Sequence, residues 1–150
     1  MLPPFVNVGW LMRHRADVVL VDCRWFPDGR DGRDAYRSGH VPGAVFADVD
    51  RDLAAPATPR GGRHPLPSPA AFAAALSRLG IAADDTVVAY DDVGGVFAAR
   101  LVWMLRTLGQ DAALLDGGLT AWPGAREEGD VRRPPVDVAP RPWPEAALAD

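Results

Sequence analysis

Thr86-Val87-Val88-Ala89-Tyr90-Asp91-Asp92-Val93-Gly94-Gly95 reads as a strand that runs into a glycine-bearing turn. The five residues Thr86–Tyr90 are apolar on both faces, the pattern of a strand buried inside a sheet. The turn leads into an amphipathic segment from about Val96 to Leu108, closed by Gly109. Upstream, Ser68-Pro69 combines an N-cap with proline at the first helical position. The spacing of Phe72, Leu76 and Leu79 then predicts a helix that stops at Gly80. Further out lie Val18-Val19-Leu20-Val21-Asp22 on one side and Ala112-Ala113-Leu114-Leu115 on the other, both short buried strands. Strands alternating with helices imply a parallel sheet covered on both faces.

The flanking segments are less regular. Phe5-Val6 reads as a short strand, and Asn7 caps a short helix through Trp10-Leu11-Met12. Residues 24–43 are rich in Gly, Arg and Asp and read as a long surface connection to a second short strand, Ala44-Val45-Phe46. Residues 51–67 carry four prolines and two glycines and read as irregular. Asp116-Gly117-Gly118 and a short turn through Trp122 follow the last strand. From Arg126 to Asp150 the chain holds five prolines and no apolar periodicity. It therefore reads as an extended linker, mobile because it has too few apolar side chains to offset the entropy of ordering.

Composition narrows the function. The 150 residues suffice for one domain, and at 48% hydrophobic and 24% charged they are globular in character. The net charge of −4 argues against a general nucleic-acid binder. No apolar run approaches the roughly 20 residues of a membrane span, and no secretory leader is visible, so the expected compartment is the cytoplasm. All 16 basic residues are arginine, which removes Schiff-base chemistry and lysine-bearing phosphate loops. The single cysteine, Cys23, excludes an internal disulfide and a cysteine-rich metal cluster.

Three places could carry chemistry. The turn Asp91–Gly95 lies where open α/β sheets bind ligands, and its backbone N–H groups suit an anion or a thiolate. The competing reading is that Asp91 or Asp92 simply caps the following helix. Cys23 would need a cationic neighbour to become a nucleophile. Arg24 is adjacent, but strand alternation sends the two side chains to opposite faces, so Cys23 reads as a small buried hydrophobe. Of the three histidines, His14, His40 and His64, none has metal-motif spacing. His40, in Ser38-Gly39-His40-Val41-Pro42-Gly43, reads as a structural residue bonding its loop to the sheet. His64, in Gly61-Gly62-Arg63-His64-Pro65-Leu66-Pro67, needs a partner to act, and Asp48 and Asp50 are the candidates.

These motifs together resemble the rhodanese family, specifically the thiosulfate and 3-mercaptopyruvate sulfurtransferases built from two tandem rhodanese domains. Val21–Trp25, Tyr36–Phe46, Gly62–Pro67, Leu115–Leu119 with Trp122, and Arg100-Leu101-Val102-Trp103 carry the resemblance, which covers about residues 5–125. It implies a rhodanese-like three-layer α/β fold at residues 1–125 and an interdomain linker at residues 126–150, leading to a second domain. In that family a loop cysteine after the central strand carries sulfur as a persulfide. The matching position here is Asp91, and a carboxylate cannot hold sulfane sulfur. The resemblance therefore implies a non-catalytic N-terminal domain, with the reactive cysteine in the partner domain. It assigns Asp50 and His64 to the shared cleft, where they work with a serine of the other half. It makes Trp25 and Phe97 walls of that cleft, whose ligand would be a small sulfur-donor anion, and Asp91, Asp92, Gly94 and Gly95 the altered loop. No metal and no organic cofactor is implied. Installing Asp91→Cys is not expected to restore activity, because the loop has no cation to stabilise a thiolate. The rival class is a stand-alone inactive rhodanese-like module that binds a protein partner. A rhodanese-fold phosphatase would also need the loop cysteine, so Asp91 counts against it equally.

Overall fold

In a computed structural model describing residues 1–148, five strands form one wholly parallel sheet in the order β1-β5-β4-β2-β3. The strands are β1 Phe5–Val6, β2 Val18–Asp22, β3 Val45–Phe46, β4 Thr86–Tyr90 and β5 Ala112–Leu115. Between and after them lie α1 Val8–His14, α2 Gly32–Ser38, α3 Pro69–Leu79, α4 Ala98–Thr107 and α5 Gly118–Ala121.

Alternation of side chains along each strand divides the core in two. Val19, Val21 and Cys23 share one face with Val87, Ala89, Ala112 and Leu114, packed under Phe72 and Leu76 of α3 and Leu101, Met104 and Leu105 of α4. Leu20, Val88, Tyr90, Ala113 and Leu115 point the other way, against Leu11 of α1 and Leu119 of α5. The result is the three-layer arrangement implied by the sequence. No helix among the described residues is long and apolar enough to cross a membrane.

Local signals explain the element ends. The Asn7 side chain accepts from Trp10 N–H, and the Ser68 hydroxyl from Ala71 N–H. Gly80 closes α3 at φ +77°, a conformation that disfavours a side chain. α4 starts at Ala98, two residues later than expected, because the preceding loop wraps around the Asp91 carboxylate.

One expectation is corrected. Residues 24–43 are not simply a surface connection, because they include α2. Asp31 caps it, and Tyr36 is buried at its centre, donating its hydroxyl to Ala44 O at 2.6 Å. Polar residues on the outer face hide the single inward aromatic that anchors so short a helix. Residues 126–148, expected as a linker, lie against the domain. They run along its surface as a strap, through backbone bonds rather than an apolar stripe. His40 and Glu127 exchange two backbone hydrogen bonds, and Val136 N–H reaches Ser77 O. Arg133 bonds Gly80 O, and Trp143 stacks on Phe72 while its indole bonds Pro67 O. Residues 149–150, the end of the expected linker, lie outside the described residues.

Candidate functional site

The turn after β4 is filled by its own first residue. Asp91 is fully buried. Its Oδ1 accepts from Val93 N–H at 2.9 Å and Gly95 N–H at 2.8 Å, and its Oδ2 from Phe97 N–H and Ala98 N–H, both at 2.9 Å. Gly94 and Gly95 at φ +77° and +91° curl the loop so that these four donors converge. The capping role weighed for Asp91 and the anion cradle are therefore one arrangement, with the carboxylate as the cradled anion. Asp92 takes no part and stays exposed. Gly118 lets the loop close from below: a Cβ there would lie 2.4 Å from Asp91 O, which accepts from Leu119 N–H.

Beside this loop, Asp50, His64, Trp25 and Phe97 meet. His64 Nε2 lies 2.6 Å from Asp50 Oδ1, and the Trp25 indole donates to Asp50 Oδ2 at 2.8 Å. Trp25 packs edge-on against both His64 and Phe97, each with ring centroids 5.1 Å apart. Desolvation pushes the Asp50 carboxyl up, but the bonds from Trp25 and His64 outweigh it and hold it below the ordinary carboxylate range. A proton held on Nε2 by Asp50 leaves Nδ1 as the acceptor nitrogen. Phe97 joins the two arrangements, since its backbone N–H is one of the four donors to Asp91. Trp25, Phe97, Asp92 and the exposed Val93 and Val96 border an open, mostly apolar cleft of about 370 Å³.

Asp48, the other candidate partner for His64, instead shapes the turn: its Oδ1 accepts from the N–H groups of Asp50 and Arg51. Arg100 is a supporting residue whose role sequence reasoning missed. From α4 it donates to Leu53 O at 2.7 Å and Pro65 O at 3.0 Å, tying the Asp50 turn to the His64 loop. Its place in the Arg100–Trp103 motif, at the start of an amphipathic helix, was the signal available.

The remaining residues are structural. Cys23 is fully buried in the α3/α4 face of the core. Burial, with the Asp22, Asp91 and Asp52 carboxylates adding to it, pushes its thiol well above the ordinary range. Arg24 points to the other face and forms a buried ion pair with Asp22 at 2.9 Å. His40 bonds its loop to the strap rather than to the sheet: its ring nitrogens face Val41 O at 2.9 Å and Gly129 O at 2.7 Å. His14 stacks on Trp10 and bonds its carbonyl. Among the described residues no group of three or more His, Cys, Asp or Glu could hold a metal ion.

A parallel three-layer domain with an anion cradle at the C-terminal end of its central strand defines a class of α/β binding and transfer domains. Within that class this chain belongs to the rhodanese family, since the model of the rhodanese-like domain matches residues 7–125. A probable 3-mercaptopyruvate sulfurtransferase of Pseudomonas aeruginosa is 48% identical over 114 residues, 73% of this chain and 40% of that protein. The 3-mercaptopyruvate sulfurtransferase of Escherichia coli K12 is 36% identical over 156 aligned positions, 96% of this chain and 53% of that protein. The crystal structure of SseA from Escherichia coli, a 3-mercaptopyruvate sulfotransferase with the rhodanese fold, superposes with a TM-score of 0.83 at 34% identity, covering 96% of this chain and 59% of that one. The chain thus spans about half or less of the length of these curated relatives.

Proposed function

We propose that this chain is the non-catalytic N-terminal domain of a tandem sulfurtransferase that moves sulfane sulfur from thiosulfate or 3-mercaptopyruvate to a thiophilic acceptor. The observation that carries this reading is the Asp91 carboxylate, seated where the family places its sulfur-carrying cysteine and saturated by four backbone donors. The cradle here holds a built-in anion that can neither attack sulfur nor leave. The relatives' greater length supports a second domain that supplies the thiolate. That thiolate attacks the sulfane sulfur of thiosulfate, breaking the S–S bond and releasing sulfite, or the thiol sulfur of 3-mercaptopyruvate, breaking the C–S bond so that pyruvate leaves as its enolate and takes up a proton. The resulting persulfide passes its outer sulfur to the acceptor.

In this reading the first half contributes a wall and an orienting pair. Asp50 fixes the tautomer of His64, and His64 Nδ1 is then placed to polarise a hydroxyl offered by the second half. Trp25, Phe97, Val93 and Val96 form the apolar surface against which that half closes, with residues 126–150 as the connection. The test is made on the full protein read from the DNA on both sides of this coding segment. An open frame encoding a second rhodanese domain with a loop cysteine is expected. In that protein His64→Gln should lower kcat/KM for 3-mercaptopyruvate about a hundredfold or more, within the range of a general acid–base group. A stop codon directly after residue 150 would favour a stand-alone binding module, and an unchanged kcat/KM would remove His64 from the site.

A further inference from the structure

Around the β3 edge, away from the Asp91 loop, lies a second and larger cavity of about 650 Å³. Arg33, Arg37, Arg51, Arg78, Arg132 and Arg133 line it, against only two carboxylates, Asp52 and Asp130. Six of the chain's 16 arginines therefore converge on one concavity of a protein whose net charge is −4. Among the described residues, internal pairing engages four of the six and leaves Arg51 and Arg132. Asp130 is shared by Arg37 at 3.1 Å and Arg33 at 3.8 Å, and Asp52 is bonded by Arg78. Arg37 also approaches Asp34 at 3.9 Å, and Arg133 bonds Gly80 O and lies 4.0 Å from Asp85. Arg51 and Arg132 are exposed, and among the described residues their guanidinium groups make no hydrogen bond within the chain.

The strap creates this pocket. Arg132 and Arg133 come from residues 130–135, which line the pocket opposite Tyr36, Val45 and Phe46. Arg33 is itself fixed over the Phe46 ring at 5.1 Å. Guanidinium groups present forked donors that match phosphate oxygens, and several pre-positioned around one cavity suit an anion bearing several charges. The size is that of a small-molecule site, too confined for a nucleic-acid duplex.

We propose that this pocket binds a polyphosphate-bearing anion, either a nucleoside triphosphate or inorganic polyphosphate. The site stands apart from the Asp50–His64 pair and does not depend on the sulfurtransferase reading.

The test is calorimetric titration of the chain with sodium tripolyphosphate and, separately, with ATP, at about 50 mM and 200 mM salt. Saturable one-to-one binding that weakens at the higher salt is expected. The double variant Arg51→Glu/Arg132→Glu should weaken it at least tenfold, while Arg13→Glu/Arg60→Glu, an equal charge change outside the pocket, should leave it within twofold. Both pairs are on exposed side chains, and circular dichroism confirms the fold of each. ATP binding more tightly than tripolyphosphate assigns the nucleotide, and the reverse order assigns the inorganic chain. Absence of saturable binding by both probes, or equal losses in the two double variants, overturns the proposal.

Discussion

Asp91 does at residue scale what a bound ion does in other anion cradles. Four N–H groups, that of Ala98 buried and the other three partly so, end on its two oxygens. Asp91→Ala should therefore destabilise the fold by about 3–5 kcal/mol, as removal of one side of a buried charged arrangement does. Urea denaturation checks this, and a loss under about 1 kcal/mol would mean that water or loop rearrangement replaces the carboxylate. Asp50 differs because it is exposed. Its folded pKa lies below its unfolded value, so its stabilising contribution is present above the unfolded pKa and fades as pH falls through the folded one. With its side chain 60% exposed the energy is under about 1 kcal/mol, so the readout must be local. The Trp25 indole N–H resonance should shift as the pH falls below the ordinary carboxylate range and Asp50 takes up a proton. An indole resonance unchanged to pH 2 in a folded protein would contradict the bond to Asp50.

Among the elements, those with both a periodic apolar pattern and a cap were legible beforehand: α3 from Ser68-Pro69 to Gly80, and β2 and β4 from their branched runs. α2 was not, because one buried aromatic, Tyr36, makes no stripe. The strap was missed for a related reason. Its attachment uses backbone groups and isolated anchors, and proline-rich composition gives no sign of where N–H groups find partners. Tyr36 illustrates the coupling, since its hydroxyl donates to Ala44 O while accepting from Val131 N–H. Ending the chain at residue 125 should leave a folded but weaker domain, uncovering Phe72 and breaking the bonds to Tyr36, Ser77 and Gly80. At least about 2 kcal/mol should be lost, seen as a melting temperature lower by roughly 5 °C or more. An unchanged melting temperature would make the strap energetically idle.

For the whole molecule, motifs name the pairing of Asp50 with His64, whereas periodicity gives no hint of it, because residues 14 apart in irregular loops meet only through the tertiary fold. Arg100 shows what brings them together, a single side chain bridging both loops from a third element. The molecule that results has a positioned imidazole, an apolar cleft wall and a loop that already contains its anion, but no accessible thiol among its described residues. Cys23, its one cysteine, is sealed in the core with its thiol pushed well up by burial. The most direct measurement is sulfur transfer by the purified 150-residue chain, with thiosulfate and cyanide and with 3-mercaptopyruvate. Both reactions should stay at background, identical in the Cys23→Ser variant. Thiocyanate formed above background and abolished by Cys23→Ser would contradict a non-catalytic domain and make Cys23 the nucleophile.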